Sequence, residues 1–221
     1  MKTYFKGESF LKGVALLSLL ILFTACGGMK DNNDPNLTPL QNQAVTYVKK
    51  HLAKGDKLID YKVVEEIMPA AIIEQPFLQL RNTVFKAGLD YQSCKTRGLE
   101  KGMEMAEEKL ENARTQILST KDMIDKNMGG VKSLIVLARV DAKNSISKQP
   151  QSLIVVFDPE TMNVKEWLPV TAPVQNTVAL VVCAEDNTLS EYAKEQNHQT
   201  EIMAGKVSDP VLKFVLEAKA L

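Results

Sequence analysis

The sequence predicts an α+β domain, an antiparallel meander sheet of four to five strands covered on one face by long helices. Three observations carry that expectation. Apolar runs at 133–140, 152–157, 162–168 and 177–184 follow one another with connections too short to hold a crossover helix, so they read as antiparallel neighbours. Between about residues 77 and 127 the apolar positions step by three and four, which is the period of one long helix or two. Ahead of them, Leu58 to Met68 alternates with period two and supplies a further strand. Helices and strands kept in separate blocks are the signature of an α+β architecture.

Taken in order, the folded part begins at Thr38-Pro39-Leu40-Gln41, where Thr38 can cap, Pro39 suits the first helical position and Gln41 closes a capping box. Leu40, Ala44, Tyr47, Val48 and Leu52 line one face of this first helix, and Lys49, Lys50, His51 and Lys54 complement the dipole at its end before Gly55 stops it. In the strand that follows, Ile59, Tyr61, Val63 and Ile67 are expected on one face and Asp60, Lys62 and Glu66 on the other. Neighbours Glu65 and Glu66 then point to opposite faces and cannot converge on one substrate atom.

The helical stretch carries Phe77, Leu80, Val84, Ala87, Tyr91 and Cys94 on one stripe. After Gly98 the stripe resumes out of phase as Leu99, Met103, Ala106, Leu110, Ala113, Ile117 and Ile124. Glu100, Glu104, Glu107, Glu108 and Glu111 lie off that stripe; the small Ala106 and Ala113 suit packing on the protein's own sheet better than a coiled coil. Ser133 to Val140 is apolar on both faces apart from Arg139 and reads as a central strand. Asp158-Pro159-Glu160-Thr161 is a turn with Pro at its second position. Thr177 to Ala184 reads as a last buried strand, Thr188-Leu189-Ser190-Glu191 as the capped start of a polar helix running to about Met203, and Asp209-Pro210 as the start of a short final helix. The element order resembles cystatin-like and nuclear-transport-factor-like folds, in which a sheet wraps a long helix, and it does so without any shared motif.

The first residues carry a different message. Lys2, Lys6 and Lys12 stand against a single Glu8, and Val14 to Phe23 is then free of charge. A membrane span needs about 20 apolar residues, so the run has the length of a secretory signal and not of a helix that crosses the bilayer. It ends at Phe23-Thr24-Ala25-Cys26, which resembles the lipobox of bacterial lipoprotein precursors. Phe23 stands where leucine is commoner, a substitution the looser lipoboxes of the Bacteroidota admit. The resemblance implies cleavage before Cys26, diacylglycerol on its thiol and palmitate-type acylation of the new amino group, and so a signal peptide over residues 1–25. It covers only this N-terminal stretch. Two or more acyl chains give stable anchoring where one gives only marginal binding.

Residues 26–37 then form a lipidated cysteine and a polar tether, about 20 Å across as a flexible coil. Lys30-Asp31-Asn32-Asn33-Asp34 resembles the acidic export signals of surface lipoproteins of the same phylum. The implied location is the cell envelope, at the outer membrane, with the periplasmic or external side left open. Residues 38–221 are expected as a single domain, with 186–221 as a helical appendage.

Losing residues 1–25 removes three lysines and one glutamate from a chain of formal net charge zero, leaving 196 residues at −2. That balance offers no electrostatic footprint for nucleic acid. The two histidines, His51 and His198, lie far apart in sequence and give no metal-ligand spacing. Ser145-Ile146-Ser147-Lys148 matches the Ser-x-x-Lys pattern of penicillin-recognising enzymes, but the companion elements of that chemistry are missing from the sequence. Trp167, the sole tryptophan, reads as a strand residue half covered by a loop.

Cys94 and Cys183 leave two readings open. A bridge between them would close about 90 residues and stabilise by ~4–5 kcal/mol in an oxidising compartment. Each also sits in an apolar stripe where a free thiol packs well. No catalytic residue, cofactor or metal ligand emerges. The sequence therefore favours a lipid-anchored, non-enzymatic protein that holds a protein partner or an apolar ligand. The alternative is a small envelope enzyme that works through carboxylates such as Glu65 with a cysteine.

Overall fold

Thr38 starts the folded chain as its sequence requires. Its Oγ1 accepts from the Gln41 N–H at 3.3 Å, and the Gln41 side chain accepts from the Thr38 N–H at 3.0 Å. The computed structural model describes residues 33–67, 74–128, 132–143, 150–195 and 203–218. The chain divides into two units, Met1–Leu37 and Thr38–Leu221. The lipobox, Cys26, His198 and the Ser145–Lys148 motif lie outside the described residues.

The second unit runs α1 (Pro39–His51), β1 (Lys57–Ile67), a 3-10 turn (Gln75–Phe77), α2 (Leu78–Arg97), α3 (Glu100–Met128), β2 (Lys132–Asp141), β3 (Gln151–Phe157), β4 (Val164–Pro169), α4 (Ala172–Glu185), α5 (Leu189–Glu195) and α6 (Pro210–Glu217). It is an α+β fold on a four-stranded antiparallel sheet of order β1-β2-β3-β4, in which β2, β3 and β4 form the meander that their short connections dictate and β1 pairs β2 across the intervening helices. The Asp158 turn forms as its sequence predicts, with Oδ1 accepting from the N–H groups of Glu160 and Thr161.

Register assigns the two faces. Val64 pairs Ile135, Leu137 pairs Ile154 and Ile135 pairs Val156, so these share a face, and they join the main core with residues of α2 to α6. Val63 pairs Val136 and Leu134 pairs Phe157 on the opposite face. That face meets α1, whose Ala44, Val45 and Val48 are buried and whose Tyr47 ring stands edge-on to Phe157 at 5.5 Å between centroids. Leu134 to Ala138 are buried on both sides of β2 in consequence. The expectation of helices on one face is thus half the arrangement: the long helices cover one side and α1 the other.

Two further expectations need correction, and one left open is resolved. Thr177–Ala184 is no strand; it lies inside α4. Pro173 opens that helix, and every residue from Thr177 to Ala184 is buried. A helix surrounded by protein shows no polar stripe, so its sequence cannot be told from a buried strand by period, and tertiary context overrides the strand preference of its valines. The stretch from 77 to 127 is two helices. Gly98 adopts φ +66° and closes α2, with the Leu99 N–H donating to the Cys94 carbonyl at 2.9 Å, a turn that favours glycine. Ile59 does not share the buried side of β1. The register slips between Leu58 and Asp60, and the bulged Ile59 is 55% exposed.

Candidate functional site

Helix packing leaves a cleft between α3 and the turn joining α4 to α5. The cleft holds about 210 Å³ and is lined by Glu107, Leu110, Glu111 and Arg114 of α3 with Asn187, Leu189 and Ser190 across from them. The stripe spacing on α3 fixes this arrangement: Leu110 turns into the core, and the glutamates at its shoulders stay at the rim.

Arg114 organises the cleft. Its Nε donates to the Ala184 carbonyl at 3.0 Å, in the last turn of α4, where the helix dipole favours a cation. Its Nη1 donates to Glu111 Oε1 at 3.1 Å. Two turns away on α3, Lys121 bridges Asp125 at 2.8 Å and Glu185 at 3.2 Å, and the hydrogen bond to Asp125 raises its pKa against the opposing effect of burial. Lys194 of α5 reaches Glu107 and lies 4.2 Å from the Tyr91 ring centroid. The charges at the cleft are therefore spent on one another. What remains for a visitor is hydrogen bonding from Asn187 and Ser190, at a site whose lining holds no cysteine or histidine. A second, more open groove of about 460 Å³ runs beside Pro76 and Leu80, where the hydroxyls of Thr115 and Thr120 donate back to their own helix at Glu111 and Gln116.

The thiols sit elsewhere. Cys183 is buried in the main core, its Sγ 3.8 Å from the Met203 sulfur, and burial pushes its pKa up to about 11. A thiol so placed stays protonated at neutral pH and is a poor nucleophile. Thr188, expected to cap α5, instead turns its buried hydroxyl to this thiol, and that contact lowers the thiol pKa against the larger effect of burial. Cys94 is half-buried at the α2–α3 hairpin, with its sulfur against Gly102. Both thiols are free.

Glu65 is exposed and pairs Leu134, on the sheet face opposite the core that encloses Cys183. Glu65, the carboxylate named in the enzymatic alternative, and the buried thiol of Cys183 are thus separated by the sheet. His51 stacks on Tyr47 at 3.8 Å between ring centroids, with Nδ1 2.9 Å from the Tyr47 carbonyl. Trp167 lies on edge strand β4 and is 36% exposed. Among the described residues there is no group of three histidine, cysteine or acidic side chains placed to hold a metal ion, and no helix long and apolar enough to cross a membrane.

Sequence reasoning missed Arg114 and the carboxyl cluster at Glu66. The Glu111–Arg114 spacing marks an ion pair along α3, but nothing in it signals the reach to α4. Glu66 feels the charge of Asp209, the residue that caps α6 by accepting from the N–H groups of Val211 and Leu212 at 2.8 Å. Burial first, and then the Asp209 charge, raise the Glu66 pKa, while Lys62 opposes them. Burial likewise raises that of Glu166.

No family model matches this chain, and neither the curated proteins nor the solved structures contain a significant match to it.

Proposed function

We propose that this chain is an envelope lipoprotein, held to a membrane by acyl groups on Cys26, whose folded domain acts by binding rather than by catalysis. The observation that carries the binding half is the sheet itself. Both its faces are filled by the chain's own helices, from Ala44, Val45 and Val48 on one side and from the core around Val178 and Ile117 on the other. Among the described residues a sheet filled in this way leaves no cup for an apolar ligand, so recognition falls to the outer surface. The protonated, enclosed Cys183 and its separation from Glu65 by the sheet also weigh against the thiol–carboxylate enzyme. The anchor half rests on Phe23-Thr24-Ala25-Cys26 and the polar tether after it.

Crosslinking in intact cells tests the reading. The tethered wild-type chain is expected to capture a defined protein at the envelope, and Cys26→Ala to lose that capture while keeping its fold. Turnover of a small envelope metabolite by the purified chain, abolished by a single carboxylate substitution, would contradict it.

A further inference from the structure

We propose that β1 is a docking edge for a second copy of this chain, the two β1 strands pairing antiparallel about a twofold axis at Val64. The sheet has two edges, and they are built differently. β4 is six residues long, ends in Pro169 and carries a register shift opposite Val156 and Phe157, features that discourage pairing with another strand. β1 is eleven residues long, and its one bulge lies at Ile59, near its start. From Asp60 to Ile67 it runs in unbroken register with β2, contains no proline and ends on Ile67, which is 53% exposed. Among the described residues its outer side pairs with no strand.

Charge then selects the register. In a symmetric antiparallel pair, opposed residues share a face, so the axis must pass through a residue. An axis at Lys62 sets Lys62 against itself; an axis at Val63 sets Asp60 against Glu66 twice; an axis at Glu65 sets Glu65 against itself. Like charges directly opposed destabilise a strand pair. An axis at Tyr61 would match charges but runs across the bulge at Ile59, which throws the far half out of step. The axis at Val64 uses only the straight part of the strand. It sets Lys62 of each copy against Glu66 of the other and Val64 against Val64. Glu66 is the residue that gains most, since its Oε2 is buried without a hydrogen-bond partner and Asp209 adds a second negative charge beside it. Lys62 of the same chain acts on this carboxylate from along the strand, and a lysine from a second copy would stand directly opposite it. The pairing does not depend on the anchor.

The test uses the full chain in its native membranes under mild oxidation. Val64→Cys is expected to give a disulfide-linked dimer, because opposed residues in adjacent strands lie ~4.5–5.5 Å apart at Cα, within bonding range. Lys62→Cys is expected to give no more dimer than wild type, because the two copies of that position lie ~13 Å apart along the strands. Charge reversal gives an independent readout without new thiols. Lys62→Glu and Glu66→Lys are each expected to weaken the dimer about tenfold, and the double variant to restore it. A monomeric wild-type chain overturns the proposal, as does equal crosslinking at positions 62 and 64, a Val64→Cys adduct to a different protein, or a double reversal that fails to restore the dimer.

Discussion

Behind Ile135, Leu137, Ile154 and Val156 the sheet meets a layer of helices whose backbones approach to contact. Behind Val136, Val155 and Phe157 it meets α1, thirteen residues long and joined through small side chains. In the helical layer a side chain at Gly88 would place its Cβ 2.2 Å from the Ala193 carbonyl oxygen, so α2 and α5 touch through backbone. The Gln92 side chain donates to the Lys194 carbonyl beside that contact. The buried Gln175 amide ties the start of α4 to the end of α6 through the Val215 and Ala218 carbonyls. Across the sheet, α1 relies on its cap, on three buried aliphatic residues and on the Tyr47–Phe157 ring contact. The difference teaches that burial alone does not measure how specific a face is. The helical side depends on positions where one atom more has no place, and the α1 side on ordinary apolar contact that tolerates change.

The largest expected effect is at Gly88. Gly88→Val is expected to cost about 3 kcal/mol or more in urea denaturation, because the obstacle is backbone and cannot swing aside. Next comes Gln175→Leu, at about 2 kcal/mol, since it leaves two buried carbonyls of α6 without a donor. On the other face Thr38→Ala is expected to cost about 1 kcal/mol through loss of the cap. Equal costs on the two faces would break the comparison.

The smallest effect depends on pH. The Glu66 pKa is raised in the folded state, so the fold binds this proton more tightly than the unfolded chain does. The group imposes no penalty below its unfolded pKa and a growing one as pH rises through the folded value. Glu66→Gln is therefore expected to match wild type near pH 4 and exceed it at pH 7, by less than about 1 kcal/mol because solvent screens a partly exposed group. Thermal denaturation at the two pH values checks the sign.

Much of this architecture was legible in the residues, and where it was not the reasons are physical. Thr38 and Gln41 announced α1, period two announced β1, and the short connections of 133–168 forced an antiparallel meander. The α4 segment was misread because its valines are enclosed on all sides and leave no stripe to follow. Gly98 marked a weak point, but only its positive φ distinguishes a turn between two helices from a kink in one. The candidate site was scarcely legible at all. Arg114 reaches α4 across 70 positions of sequence, and Glu66 feels the charge of Asp209 from strand to helix cap, interactions that no local spacing encodes. The proposed address at Cys26, by contrast, rests on consecutive residues.

Mass spectrometry of the N-terminal peptide from native membranes tests the central claim most directly. The account predicts a mature chain that begins at Cys26 and carries diacylglycerol on its thiol and an acyl chain on its amino group. A chain that begins elsewhere, or that washes from the envelope with an unmodified Cys26, would contradict it.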